Sequence, residues 1–103
     1  AAAILAARQR NLPVVIDGYV VTAAALPLTI VAPAAIDHCM VGHCSTEPGH
    51  RKLLDRLGKE PLLDLHMRLG EGTGAMAAVP IIQMACAGVN DVPTLNEWKS
   101  RKD

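Results

Sequence analysis

Leu12-Pro13-Val14-Val15-Ile16-Asp17-Gly18 is the stretch whose reading decides the fold. Val14, Val15 and Ile16 are consecutive β-branched residues without polar alternation, the pattern of a strand covered on both faces in a parallel sheet. Asp17-Gly18 closes the run with a turn. Such a strand needs helices around it, and the flanks supply them. Residues 1–9 are Ala, Leu, Ile, Arg and Gln, mostly strong helix formers, stopped by Asn11 and Pro13. Residues 19–26 return to helix-compatible composition, and Pro27 lies too deep for a first turn, so the helix is expected to end or kink just before it.

The pattern repeats downstream. Residues 33–37 read as a connection and residues 39–42 as a second buried strand. Ser45-Thr46-Glu47-Pro48 offers an N-cap followed by an early-helix proline. The helix begun there carries Leu53, Leu54 and Leu57 on one core-facing side and stops at Gly58. Residues 61–65 fit a third strand or an extended approach to the glycines that follow. Residues 73–89, apolar or small apart from Gln83, read as a buried helix kinked at Pro80, and residues 94–102 as a short polar tail helix carrying Trp98. Strand and helix in alternation give an α/β layered, Rossmann-like fold with a parallel sheet.

Composition narrows the function. Basic and acidic side chains balance at ten each, so no charge footprint favours nucleic acid or an anionic membrane. Half the chain is hydrophobic, yet Tyr19 and Trp98 are the only aromatics besides histidine, so the core is expected to be Ala, Val, Leu, Ile and Met. Three cysteines, Cys39, Cys44 and Cys86, give no disulfide framework, and no secretion signal opens the sequence; a reducing, cytoplasmic setting is the default expectation. The apolar run over residues 18–36 approaches membrane-spanning length but holds Pro27, Pro33, Thr22 and Thr29, and reads as a buried segment. The first residue is Ala in the middle of a helical pattern, which suggests a piece of a longer chain.

Ligands of parallel sheets sit at the carboxyl ends of the strands. Asp17-Gly18, residues 42–45 and residues 70–74 all fall at such ends, so three loops should meet on one rim. The third loop, Leu69-Gly70-Glu71-Gly72-Thr73-Gly74-Ala75, presents one carboxylate on a turn framed by glycines and leads into a helix whose first N–H groups point into the same space. That suits a small anionic or heteroaromatic ligand, or else a solvated Glu at a helix start. Gly70, Gly72 and Ala75 also satisfy a loose dinucleotide pattern, but no strand ending in an acidic residue follows at the required distance. His38, Cys39, His43, Cys44 and His50 are metal-ligand types without the spacing of a zinc site. Ser45-Thr46 at a helix start suits phosphate, or plain capping.

Taken together, Leu12-Pro-Val-Val-Ile-Asp-Gly18, Gly42-His-Cys-Ser-Thr-Glu-Pro-Gly-His50, Pro61-Leu-Leu-Asp-Leu65 and Leu69-Gly-Glu-Gly-Thr-Gly-Ala75 resemble, in order and spacing, the C-terminal part of the nicotinate-nucleotide–dimethylbenzimidazole phosphoribosyltransferases. The resemblance implies transfer of a phosphoribosyl group from nicotinate mononucleotide to 5,6-dimethylbenzimidazole, giving α-ribazole 5′-phosphate and nicotinate in assembly of the cobalamin nucleotide loop. It implies that Glu71 is the general base, and burial beside the apolar Leu69 and Met67 would raise its pKa toward the working pH. It also implies that Asp17, Gly18, Ser45, Leu69, Gly70 and Gly72 contact substrate, with His43 and Arg68 as neighbours. No cofactor and no metal are implied, and the whole enzyme is expected to be a cytoplasmic homodimer. Residues 1–103 are then one C-terminal segment of an α/β phosphoribosyltransferase domain, with residues 91–103 matching poorly. A second glycine-rich nucleotide segment, a second acidic residue and a phosphate-binding lysine are expected upstream, and the 103 residues alone are expected to be inactive. The alternatives are a non-catalytic nucleotide- or benzimidazole-binding module, or a small zinc domain using His38, His43, Cys44 and His50.

Overall fold

A computed structural model describes residues 1–101. Its frame is a parallel three-stranded sheet in chain order: β1 Val14–Ile16, β2 Cys39–His43 and β3 Pro61–Leu63. Val14 pairs with Cys39 and Ile16 with Val41 on one side of β2, and Val41 with Pro61 and His43 with Leu63 on the other. The central strand is therefore buried at Cys39, Val41, Gly42 and His43. Five helices accompany it: α1 Ala2–Gln9, α2 Tyr19–Val31, α3 His50–Leu57, α4 Thr73–Asn90 and α5 Leu95–Ser100, with a 3-10 turn at Pro33–Ile36. The expected α/β layered fold with parallel strands is present.

The core gathers Ile4, Ile16, Ala25, Ala35, Ile36, Cys39, Val41, Cys44 and Leu54, with Val14, Leu28 and Leu57 packed against it. Methionine, expected in the core, is absent from that cluster: Met76 and Met84 lie mostly exposed. Of the three leucines assigned to α3, Leu54 is buried and Leu53 and Leu57 are half-buried. Gly58 stops α3 with φ of 62°, as its position suggested.

Three element readings need correction. Pro27 does not end α2, which runs on to Val31. A mid-helix proline costs about 3 kcal/mol, and here Leu28 packs on the core one residue later while the Thr29 hydroxyl donates to the Leu26 carbonyl at 2.8 Å. Ser45 and Thr46 do not cap α3, which starts at His50 after Gly49. Glu47 precedes a proline and is steered away from helical angles, so a turn intervenes, closed by the His50 N–H on the Glu47 carbonyl at 2.9 Å.

The third correction concerns α4, which is not buried. Gly74 and Ala78, one turn apart, are its only buried residues, and Met76, Met84 and Val89 are 67–83% exposed. A helix apolar all round needs neighbours on every side; here the sheet meets α4 at its start, where Gly42 lies against Gly74 and Ala75. By length and composition alone α4 is also long enough to cross a membrane, with mean hydropathy of 1.3. The tail helix α5 begins behind Thr94, which makes a reciprocal capping box with Glu97. Lys102, the expected end of that helix, lies outside the described residues.

Candidate active site

The three loops do converge. At the carboxyl end of the sheet a cavity of about 430 Å³ is lined by Asp17 to Val21 behind β1, by His43, Ser45 and Glu47 behind β2, and by Arg68 to Glu71 behind β3. That volume suits a small organic ligand. The third loop is brought there by a ladder that outlasts the strands: the Cys44 N–H donates to the Leu63 carbonyl at 2.7 Å and the Thr46 N–H to the Met67 carbonyl at 3.1 Å.

Glu71 sits at the apex of a left-handed turn. Gly70, Glu71 and Gly72 have φ of 77°, 58° and 81°. Glycine adopts these angles freely, but a residue with a Cβ is strained there by roughly 1–2 kcal/mol. The turn is held from both sides. The Thr73 N–H and hydroxyl both donate to the Gly70 carbonyl, at 3.1 and 2.8 Å. From the far end of the chain, Asp17 Oδ2 accepts the Gly72 N–H at 3.1 Å and Oδ1 accepts the Ala75 N–H at 2.9 Å. The helix has no capping side chain of its own, since Gly72 stands at its N-cap. The Asp17 carboxylate takes that role across more than fifty residues of chain, where the helix dipole favours negative charge.

Glycine serves a second purpose at Gly42 and Gly74. A Cβ on Gly74 would stand 1.8 Å from the His43 ring, and one on Gly42 would stand 2.7 Å from Ala75 Cα. Bare backbone at these two positions lets α4 rest directly on the end of β2. Beneath it lies the His43 ring, 1% exposed, its Nε2 3.8 Å from Asp17 Oδ1 and its Nδ1 buried without a protein partner among the described residues.

A second imidazole lies fully buried beside the first. His50 Nδ1 accepts the Ser45 N–H at 2.8 Å, and His50 Nε2 meets the Thr22 hydroxyl at 2.9 Å. A backbone N–H can only donate, so the ring is neutral with its proton on Nε2, and the Thr22 hydroxyl donates in turn to the Gly18 carbonyl at 2.8 Å. Burial, followed by the neighbouring charges of His43 and Arg51, holds the His50 pKa below the ordinary histidine value, with Asp17 pulling the other way. Ser45 adds a local turn, its Oγ accepting the Glu47 N–H at 3.2 Å.

The site residues expected from sequence thus fall on one cavity: Asp17, Gly18, Ser45, Leu69, Gly70 and Glu71 line it, and Gly72 borders it through its bond to Asp17. The expected shielding of Glu71 is not found. Glu71 is exposed and Leu69 is 72% exposed. The metal candidates separate. His38 lies at the opposite end of β2, with Nε2 3.0 Å from the Ile4 carbonyl, and among the described residues no three His, Cys, Asp or Glu side chains gather as a metal set. Burial pushes the Cys39 thiol up, against the pull of Lys59 and Arg8. Sequence reasoning gave Thr22 no role at the site; the signal was a hydroxyl four residues after the turn glycine in a mostly apolar helix.

A family model described as phosphoribosyltransferase matches residues 1–99. A nicotinate-nucleotide–dimethylbenzimidazole phosphoribosyltransferase of Brucella canis is 64% identical over 85 residues. The chain belongs to the nicotinate-nucleotide–dimethylbenzimidazole phosphoribosyltransferase family. A relative of the same name in Allorhizobium ampelinum is 56% identical over 97 residues, 94% of this chain. The crystal structure of the Thermus thermophilus phosphoribosyltransferase of that name superposes with a TM-score of 0.84 at 46% identity, over 93% of this chain and 29% of that one. The chain spans about a quarter of the length of the curated relatives it matches, 25% and 28% for the two above.

Proposed function

We propose that the protein transfers a phosphoribosyl group from nicotinate mononucleotide to 5,6-dimethylbenzimidazole, yielding α-ribazole 5′-phosphate and nicotinate for cobalamin nucleotide-loop assembly. The observation that carries the reading is the left-handed turn that sets Glu71 on the rim of a cavity shared with Gly18 and Ser45. The names of the relatives support the choice of reaction.

In this reaction one benzimidazole nitrogen attacks the anomeric carbon on the face opposite nicotinate. The carbon–nitrogen bond to nicotinate breaks, and its electron pair returns to the pyridine ring, which departs without needing a proton. The attacking ring becomes cationic and sheds the proton on its second nitrogen to the Glu71 carboxylate, the general base. Inversion at the anomeric carbon gives the α product. The first turn of α2 lines the cavity and carries N–H groups that no helical carbonyl can take; with Arg68 it suits the 5′-phosphate. Ser45, Leu69, Gly70 and Gly72 supply walls and backbone around the ribose and bases. Asp17 acts chiefly by fixing the start of α4, since both its oxygens already accept backbone N–H groups. Most of the rate then comes from positioning and the base. The reading includes residues 1–103 as the C-terminal segment of the catalytic domain, in a cytoplasmic homodimer.

Replacing Glu71 by Gln keeps the turn and removes the base. Transfer measured in the whole protein is expected to fall by about 10²–10⁴, with nicotinate mononucleotide affinity retained; undiminished transfer would remove Glu71 from the role. The exposure of Glu71 and Leu69 favours one alternative, a binding module without turnover. It predicts that nicotinate mononucleotide or a benzimidazole raises the melting temperature while no nicotinate is released.

A further inference from the structure

His50 touches none of the cavity and yet holds two of its walls. Its Nδ1 takes the Ser45 N–H, and its Nε2–H reaches the Thr22 hydroxyl, which in turn holds the Gly18 carbonyl. Gly18 and Ser45 belong to different loops, behind β1 and β2, and both line the cavity. Each of the three bonds is 2.8–2.9 Å long, and both His50 and Thr22 are fully buried. The chain of donors has one direction: Ser45 N–H to imidazole, imidazole N–H to hydroxyl, hydroxyl to carbonyl. Only a neutral ring with this tautomer satisfies every member, and a half-satisfied buried network is costly. The ring is also packed edge-on against Tyr19 and His43, with centroids 6.4 and 6.3 Å away, so it has little freedom to turn.

We infer that His50, acting with Thr22, is a positioning residue for the nucleotide half of the cavity, a neutral imidazole bridge that sets the spacing between the Gly18 and Ser45 loops before ligand arrives. The inference rests on the reading of the cavity as a nucleotide site. Preset spacing lowers the ordering cost of binding and so raises affinity without any contact to ligand.

Thr22→Val in the whole protein keeps the shape of the side chain and removes the middle link. Thr22 bonds His50 and Gly18 while Ser45 N–H bonds His50, so a role of Thr22 confined to its own helix predicts no change at Ser45. The bridge predicts that the Ser45 amide exchanges with solvent faster, by about tenfold or more. It also predicts that KM for nicotinate mononucleotide rises about tenfold, that KM for the benzimidazole is unchanged, and that Thr22→Ser restores both values. Unchanged exchange at Ser45 overturns the bridge. Faster exchange with unchanged nucleotide KM overturns the positioning role while leaving the reading of the cavity intact. If the unsubstituted protein neither binds nor turns over nicotinate mononucleotide, the reading of the cavity fails and the inference with it. Should Thr22→Val not fold, ¹⁵N shifts of the unsubstituted protein decide the geometry: Nδ1 bare and Nε2 protonated at neutral pH is expected, and the opposite tautomer or a charged ring overturns the bridge.

Discussion

Gly70, Gly72 and Gly74 stand two apart and do different work. The first two permit the left-handed turn that carries Glu71; the third lies at an ordinary helical position and is needed because the His43 ring occupies the place of its Cβ. Sequence showed three evenly spaced glycines around a glutamate but not this division, because the third depends on a side chain thirty-one residues earlier. Gly74→Ala is therefore expected to destabilise by about 1–3 kcal/mol through overpacking against His43 and β2, measured by urea denaturation, whereas alanine at the exposed Gly88, where a Cβ meets nothing, is expected to be neutral or stabilising. Acid acts through His50. Its pKa in the folded protein is lowered, by burial first, so the unfolded chain takes up the proton sooner. The contribution of the neutral ring is present above about pH 6.5 and is lost as pH falls toward the folded value, by up to about 1.4 kcal/mol per pH unit. His50→Gln, which can keep a donor toward Thr22, is expected to be less stable at pH 7 and to show a shallower loss between pH 7 and 5; an equal slope in both proteins contradicts the assignment.

Among the elements, β1 and the body of α3 were legible because each is defined by its own residues: a β-branched run for the strand, three leucines and a terminal glycine for the helix; β2, with Val41 as its one β-branched residue, was marked less strongly. The positions of α2 past Pro27 and of the start of α3 were not, because packing of Leu28 and the turn at Pro48 decide them. The start of α4 is the clearest case of a boundary set from elsewhere. Its cap is Asp17, which sequence read as a turn closure or a substrate contact. Asp17→Asn leaves one oxygen and sets an amide donor against a backbone donor. It is expected to cost about 1–3 kcal/mol and to loosen the Glu71 turn, seen as faster amide exchange at Gly72 and Ala75. Retained protection at both amides would show that β2 alone holds the helix.

Over the whole molecule the mass is unevenly spread. The radius of gyration is 16.7 Å, against about 13 Å for a compact domain of this length, because α4 beyond Ala78 and α5 hold no fully buried residue. The apolar composition of residues 73–89 led to the expectation of a buried helix; what surrounds it is not specified by those residues. Met84→Glu in the 103-residue chain is accordingly expected to change stability by less than about 0.5 kcal/mol, while Leu54→Ala in the core is expected to cost about 2–5 kcal/mol, both by chemical denaturation. At the sheet end, by contrast, three loops from three strands meet around one cavity, with Glu71 on its rim. The most direct measurement compares transfer to benzimidazole with transfer to 1-methylbenzimidazole, which has no second-nitrogen proton to lose, in the whole protein and its Glu71→Gln variant. A base at Glu71 predicts a loss of about a hundredfold or more with benzimidazole and equal rates with the methylated ring. The same loss with both rings would contradict it.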